Sequence, residues 1–417
     1  MTKMPNTERI TLGSRIKAAR RGWSIGYIPD HQSFVSSANG IDFGVTVTED
    51  SALRFTAVYA AIKLLAENIA ALPKSVKHRT EDGFEDAFKH PAYRALCVAP
   101  NDYMDVFTFW FKGVADLFGK GNFFAVIDRS GSKIQLHPVA PEWVTVVFDK
   151  GKKGYIVNCP MPSFQFLNRT YLEHEMIHIM LFTRDGLTGI DPISYNAAAI
   201  GRGIATNKFS GDFYRRGGQI KGVMETDREL GDEAYDKFMK HYSAAAGNFS
   251  TPLLEYGIKY KEIGLSPVAA QLIQTETLSI DDIARIFCIP PHLLAELSHA
   301  TFSNIEQQNI FFGEFSLRPV CKRIEVQLER KLFTEKEIGQ YSIKFDLRGL
   351  MRGDSRTRAE YYTSGINAGW MTPNEARRME EMKSLPGLDS PRMPMNFVQI
   401  DDQGNAKVID NSDNNGE

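Results

Sequence analysis

The sequence predicts an α+β protein of several packed units, and three observations lead there. Its 417 residues exceed what one hydrophobic core usually spans. A composition of 43% hydrophobic and 24% charged residues is that of a globular chain with ample apolar surface to bury. Within residues 48 to 188, apolar positions at helical spacing come first and β-branched or aromatic runs bounded by turn residues follow, so helices and strands occupy separate blocks.

Residues 1 to 47 mix basic, polar and glycine residues without a sustained period and are expected to be an arm that orders only against a partner. The folded part is expected to begin near Thr48. From there Val58, Ile62, Leu65, Ile69 and Leu72 recur at helical spacing until Pro73 stops the run. Phe107, Trp110, Phe111, Val114, Leu117 and Phe118 mark a second helix ending at Gly119-Lys120-Gly121-Asn122. Phe123 to Ile127 and Ile134 to Leu136, joined by Asp128-Arg129-Ser130-Gly131, predict a hairpin, with Val144 to Phe148 and Tyr155 to Val157 as further strands.

Asp191-Pro192 supplies an N-cap and a proline at the first helical position of a long segment running to Gly217-Gly218. Ala197, Ala198, Ala199, Gly201, Gly203 and Ala205 make this a poor isolated helix, because each interior glycine costs about 1 kcal/mol against alanine. Close packing against another helix, in a neighbouring copy or in the same domain, explains the small residues. Residues 219 to 264 are expected to form a compact insert: a strand near Gln219 to Met224, a helix from Leu230 to Ala245, and strands near Leu253 to Tyr256 and Ile258 to Glu262. Ser266-Pro267 then opens a helix that ends at Phe287 before Pro290-Pro291. A capping box at Ser303-Asn304-Ile305-Glu306 starts the next helix, with a kink expected at Pro319. Tyr341 to Leu347 is expected to return as a strand, followed by helices at Ser355 to Ile366 and from Thr372-Pro373-Asn374-Glu375 to Met382. After Pro386 the Pro, Gly, Asn and Asp content predicts a flexible tail.

Charge and cysteine usage exclude several function classes. Lys and Arg number 49 against 51 Asp and Glu, a formal charge of −2, so tight wrapping of nucleic acid through many phosphate contacts is not expected. Cys97, Cys159, Cys288 and Cys321 lie far apart without a Cys-x-x-Cys pair, as expected of reduced, mostly buried thiols in a cytosolic protein. No signal-peptide pattern opens the chain and no run of about 18 apolar residues occurs, so neither export by that route nor a membrane span is expected.

His174-Glu175-Met176-Ile177-His178 matches the His-Glu-x-x-His pattern of zinc peptidases, in which two histidines one helical turn apart hold the metal and the glutamate activates water. The apolar run Ile179 to Phe182 that follows fits a strand equally well, which would set the histidines about 13 Å apart, beyond one metal ion. The structural reading is preferred, and a zinc-dependent hydrolase is kept as the alternative. Gly119-Lys120 is no nucleotide loop, since Val114 and Gly121 stand where a glycine and a Ser or Thr belong, and no Gly-x-Ser-x-Gly elbow occurs. No cofactor is expected. Arg202, Lys208, Arg215, Arg216 and Lys221 form a basic strip that suits DNA, a partner or plain solvent.

The order of elements and several phrases resemble the portal proteins of long-tailed phages. The phrases are Leu53 to Pro73, Gly121-Asn122-Phe123-Phe124, Asp191-Pro192-Ile193, Gly264-Leu265-Ser266-Pro267, Ile289-Pro290-Pro291-His292-Leu293-Leu294, Ala300 to Gln308, Leu317-Arg318-Pro319, and Asn367-Ala368-Gly369 with Thr372-Pro373-Asn374-Glu375. Together they span residues 50 to 385. Cys288 and Ala295 depart from the pattern where similar proteins often carry glycine, which bears on local turn geometry and not on the assignment.

The resemblance implies a multi-domain portal fold: an N-terminal arm (1–47), an α+β wing (48–188), stem helices (189–218 and 265–289) around a small α+β clip insert (219–264), a tunnel loop (290–302), a long helix with a wing strand (303–352), a C-terminal helical crown (353–385) and a flexible tail (386–417). It implies a non-enzymatic ring, typically a dodecamer, at the portal vertex of the virion, assembled in the host cytoplasm. Its expected partners are the terminase large subunit, the head-tail adaptor, major capsid and scaffold proteins, and double-stranded DNA passing through the channel. The tunnel-loop residues Leu293, Leu294, Glu296, Leu297, Ser298, His299 and Thr301 are the DNA-channel candidates. Ala197, Ala198, Gly201 and Ala205 are the ring-packing candidates, because closed heterologous contacts favour small residues.

Overall fold

The computed structural model describes residues 46–81, 83–129, 133–215, 222–226, 231–247, 258–262, 268–295, 302–347, 355–380, 382–392, 399–400 and 406–407. The arm therefore lies outside the described residues except for Thr46 and Val47, as do the strand expected near Leu253 to Tyr256, the Ser266-Pro267 cap and much of the tail. Two compact units divide the chain, the first ending at Asp346 and the second beginning at Leu347.

In the first unit, Thr48 and Ser51 cap each other reciprocally at the start of α1, Glu49–Leu53. The single helix expected here is two, because the chain breaks at Arg54 and Phe55 before α2, Thr56–Ala71. The break turns Phe55 inward, where it is 7% exposed. Strands β1, Lys74–Thr80, and β2, Gly83–Asp86, follow, then α3, Pro91–Cys97, and α4, Val106–Lys120. Sequence patterning missed β1, β2 and α3: β1 buries only Val76, β2 buries nothing, and α3 is seven residues long. Asp105 caps α4 by accepting from Thr108 N at 2.8 Å, and Gly121 ends it in the left-handed region at φ 73°.

Strands β3, Asn122–Asp128, β4, Gln135–Val139, β5, Val144–Asp149, β6, Lys152–Val157, β7, Thr170–Leu172, and β8, Met176–Met180, form two antiparallel sheets in the orders β4-β3-β8 and β5-β6-β7. Helices α2 and α4 bury Val58, Leu65, Ile69, Trp110, Val114 and Leu117 against each other and the sheets. Phe123 lies directly over Gly113 of α4, where any Cβ would fall within 2.6 Å of its ring. Phe124, Val146, Tyr155, Tyr171 and Met176 fill the space between the two sheets.

The long helix expected after Asp191 is also divided. Asp191 does cap it, accepting from Ile193 N and Ser194 N, but α5 spans only Pro192–Tyr195 and α6 begins at Ala197 and ends at Arg215. The division falls at Asn196, whose backbone N–H and side-chain amide both donate to Pro192 O, at 3.1 and 2.9 Å. The insert contains β9, Gly222–Glu225, α7, Asp232–Gly247, and β10, Lys259–Glu262, with β9 and β10 antiparallel. Helix α8, Val268–Phe287, leads to a 3₁₀ turn at Pro291–Leu294.

Helix α9 spans Phe302–Phe311, so Ser303 falls inside its first turn and not at the capping position expected from the sequence. Just ahead of Pro319, where a kink was expected, the helix widens into a π-helical turn, Phe312–Leu317, and Pro319 sits in the first turn of α10, Arg318–Leu332. The wider turn satisfies the sequence because a first-turn proline needs no amide donor. Strand β11, Tyr341–Phe345, pairs antiparallel with β1, giving the order β11-β1-β2. Its outer amides are received by α10: Glu329 Oε1 accepts from Ile343 N and Glu325 Oε1 from Phe345 N, each at 2.9 Å. Two carboxylates one helical turn apart thus cover a sheet edge.

The second unit holds α11, Ser355–Asn367, and α12, Pro373–Met379, the latter opened by a Thr372–Glu375 capping box as expected. Trp370 rests on Gly365, and the fully buried Asn374 pins the following loop through Leu385 N and O. Within the tail, β12, Gln399–Ile400, and β13, Ala406–Lys407, pair antiparallel, which the composition did not signal.

Candidate functional site

The segment singled out by the sequence, residues 290 to 302, leaves α8 through a tight C-terminal cap. Ile289 N donates to Ala284 O at 2.8 Å and Cys288 N to Arg285 O at 3.3 Å, the two bonds of a Schellman motif, with Ile289 and Ala284 both buried. That motif places its penultimate residue in the left-handed region, and Cys288 is there at φ 54°. Ala295 closes the 3₁₀ turn at φ 64°. Two of the three non-glycine residues with positive φ among the described residues are therefore the two that stand where similar proteins often carry glycine.

Side chains brace this base from below. Ser316 Oγ, in the π-helical turn, donates to Cys288 O, and Phe287 meets Phe118 of α4 with ring centroids 6.4 Å apart. His292 Nε2 lies 3.1 Å from Asn309 Oδ1, so that nitrogen carries the proton and joins the turn to α9. Leu293 and Leu294 are half-buried in the 3₁₀ turn, whereas Glu296, Leu297, Ser298, His299 and Thr301 lie outside the described residues. No Lys or Arg occurs between Pro290 and Phe302.

The helices leading to the turn pack side by side through small residues. A Cβ on Gly203 of α6 would lie 2.8 Å from the Phe55 ring and 3.5 Å from Ser279 Cβ of α8, so glycine here answers packing within the chain. Gly201 is likewise buried, Ala197 and Ala205 are half-buried, and Ala198 is exposed. Arg202 ion-pairs with Asp282, which also holds Arg285 at 2.7 Å, and Arg215 pairs with Asp212 at 3.0 Å. Carboxylates thus neutralise part of the basic strip; Lys208 is exposed, and Arg216 and Lys221 lie outside the described residues.

The His-Glu-x-x-His match is not on a helix. His174 is exposed in a 3₁₀ turn, Glu173–Glu175, and His178 is buried on β8. Glu175 Oε2 accepts from Leu172 N at 2.8 Å. His178 Nε2 donates to Asn122 Oδ1 at 3.0 Å, and Nδ1 lies 3.4 Å from the Tyr155 hydroxyl. Burial above all, then the nearby Lys153 and Lys331, hold its pKa well below the ordinary 6.5. Asn122 also accepts from Gly189 N and donates to Gly189 O, at 2.7 and 2.9 Å. The second histidine is thus part of a buried network that joins the end of α4 to the entry of α5. Among the described residues no group of three His, Cys, Asp or Glu could hold a metal, and no helix is long and apolar enough to cross a membrane. All four cysteines are free: Cys159 and Cys321 are buried and Cys97 half-buried, while Cys288 is exposed.

Comparison with known proteins agrees on one family. The family model for phage portal proteins matches residues 56–381. The portal protein of Enterobacteria phage HK97 is 27% identical over 406 residues, 95% of this chain and 93% of that protein. The "Probable portal protein" of Streptomyces phage phiC31 is 30% identical over 376 residues, 86% of this chain and 82% of that one. Among solved structures, a chain of the native gene transfer agent virion superposes with a TM-score of 0.58 at 20% identity, covering 90% of this chain and 100% of the other. An HK97-family portal protein from Corynebacterium diphtheriae gives 0.55 at 16% identity, covering 73% and 96%. With a family match running through most of the described helices and strands, this chain belongs to the phage portal protein family.

Proposed function

We propose that this chain is one subunit of a closed twelvefold ring at the portal vertex of the virion, assembled in the host cytoplasm, through which double-stranded DNA is packaged and ejected. The carrying observation is the family match over 56–381 together with a turn at 289–295 held rigidly between α8 and α9. Residues 48–188 with β11 are the wing, α6 and α8 the stem, 219–264 the clip, 290–302 the tunnel loop, and α11 with α12 the crown. The terminase large subunit and later the head-tail adaptor dock on the clip, and major capsid and scaffold proteins surround the ring. The chain acts in this reading as a channel subunit and not as an enzyme. A loop without Lys or Arg touches DNA weakly and without sequence preference, as sliding requires.

Ala198 is the ring-packing candidate with most surface free for a neighbour, and Ala197 and Ala205 offer part of theirs. Exposed Phe311 and Phe315, with ring centroids 4.7 Å apart, add apolar surface of the kind buried between subunits. Native mass measurement with negative-stain imaging tests the ring: closed dodecamers are expected, and a compact monomer overturns it. For the loop, a cysteine at Ser298, placed after removal of the native thiols, should crosslink to DNA stalled during packaging while one at Ser355 does not. A solvent-protected Ser298 without DNA adduct in assembled rings refutes the loop assignment.

A further inference from the structure

A recess of about 650 Å³ opens between the β5–β6 hairpin, the loop at Gly186 and Leu187, and the C-terminal end of α10. Its lining is unusually rich in cations. Lys152, Lys153, Arg330 and Lys331 face a single lining carboxylate, Glu173, an excess of three positive charges. Glu173 is already shared: its Oε1 lies 2.5 Å from Lys331 Nζ and 3.2 Å from Arg330. Lys331 sits at depth, its side chain 2% exposed.

Lys153 is the group left over. Its ammonium donates to Leu187 O at 2.6 Å and stands 5.8 Å from the Tyr155 ring, and among the described residues no carboxylate completes an ion pair with it. Asp185 and Glu173 act on it electrostatically without forming an ion pair, and Asp185 Oδ1 accepts from Leu187 N and Thr188 N of its own turn. Burial first, then repulsion from Lys331, lowers the Lys153 pKa to about 8, as expected of a cation short of a counter-charge.

We propose that this recess binds a protein partner through a short acidic peptide segment, an Asp or Glu side chain flanked by apolar residues. Phe148, Leu172, Met180 and Leu187 supply the apolar wall beside the cations. Duplex DNA fits the site poorly, because a rigid rod cannot carry its phosphates into the recess to the half-buried Lys153. A slender side chain can, and its carboxylate satisfies Lys153 with a charge-assisted hydrogen bond.

Fluorescence anisotropy on the assembled protein tests this, using a labelled peptide of alternating Asp and Leu, its Asn-for-Asp counterpart, and a short labelled duplex. The acidic peptide should bind and the Asn peptide should not. Lys153→Met should weaken binding by at least about tenfold. The pair Lys152→Gln with Arg330→Gln should do the same, and since both side chains are exposed this second variant keeps the test open if burial makes the first unstable. Lys336→Gln, an exposed cation outside the recess lining, should leave binding unchanged. Absence of binding, binding indifferent to the recess variants, or duplex binding that those variants abolish would overturn the proposal. Native mass of each variant reads ring formation separately, so rings that do not bind the peptide refute the recess and leave the portal assignment standing.

Discussion

Two residues hold the turn after α8 in a conformation that their side chains oppose. Cys288 and Ala295 occupy the left-handed region, which costs an L-residue roughly 1–2 kcal/mol, while glycine there forfeits only about 0.5–1 kcal/mol of extra chain entropy. Cys288→Gly and Ala295→Gly should therefore each stabilise the protein by about 0.5 kcal/mol, read as a raised denaturation midpoint; a lowered midpoint would show that the side chains contribute more than the strain removes. His178 sets a different residue-scale dependence. Its folded pKa lies well below 6.5, so below that pH the unfolded chain takes up a proton that the folded chain refuses. Stability should fall as pH drops below 6.5, by about 1.4 kcal/mol per unit for this one group. His137, whose pKa is also lowered by burial, adds a second contribution of the same sign. His178→Gln, which keeps a donor toward Asn122, should flatten the loss between pH 7.5 and 5.5 by about one proton's worth in urea titrations. An unchanged slope would mean that His178 is protonated in the native protein.

At the scale of elements, α10 does more than bury an apolar stripe. Glu325 is 6% exposed, accepts from Phe345 N, and meets Lys322 and Lys344 at 3.4 and 3.5 Å. Removing it strands a buried amide and uncovers the edge of β11. Glu325→Ala should cost about 2–3 kcal/mol, and Glu325→Gln, which keeps the acceptor, should cost less. Amide exchange at Phe345 should accelerate in the alanine variant and stay slow in the glutamine one. The caps at Asp191 and Thr372 were legible in the sequence because a cap is a local event, each accepting amides that a helix start leaves open, whereas Asp105 was not singled out and Ser303 fell inside its helix. Breaks were not legible. The interruption at Arg54-Phe55 serves a contact with Gly203, about 150 residues away, and the one at Asn196 carries no proline or glycine to announce it.

On the scale of the whole molecule, the insert between α6 and α8 has its own small sheet and helix. Replacing residues 219 to 264 by a short Gly/Ser linker should leave the wing folded, as judged by its near-ultraviolet circular dichroism, while abolishing terminase binding. Retained binding would place the motor's docking surface elsewhere. The return of β11 to pair with β1 argues for the first outcome. The sheet of β1 is completed by a strand from beyond the insert, and the insert's own β9 and β10 pair with each other, so that sheet needs the chain to return but none of the insert's strands.

By itself the sequence determined the α+β class, the caps at Asp191 and Thr372 and the family, since each rests on local chemistry or on phrases that survive as phrases. It also singled out Cys288 and Ala295 as departures from glycine that bear on turn geometry, and the structure gives both a positive φ. Tertiary structure alone decided where helices break, which glycines serve packing inside the chain, and that His178 belongs to a buried network in place of a metal pair. The recess with its unpaired Lys153 was invisible for the same reason. Its walls come from residues 148 to 187 and 327 to 331, and only the packing of α10 beside the β5–β6 hairpin sets four cations around one carboxylate.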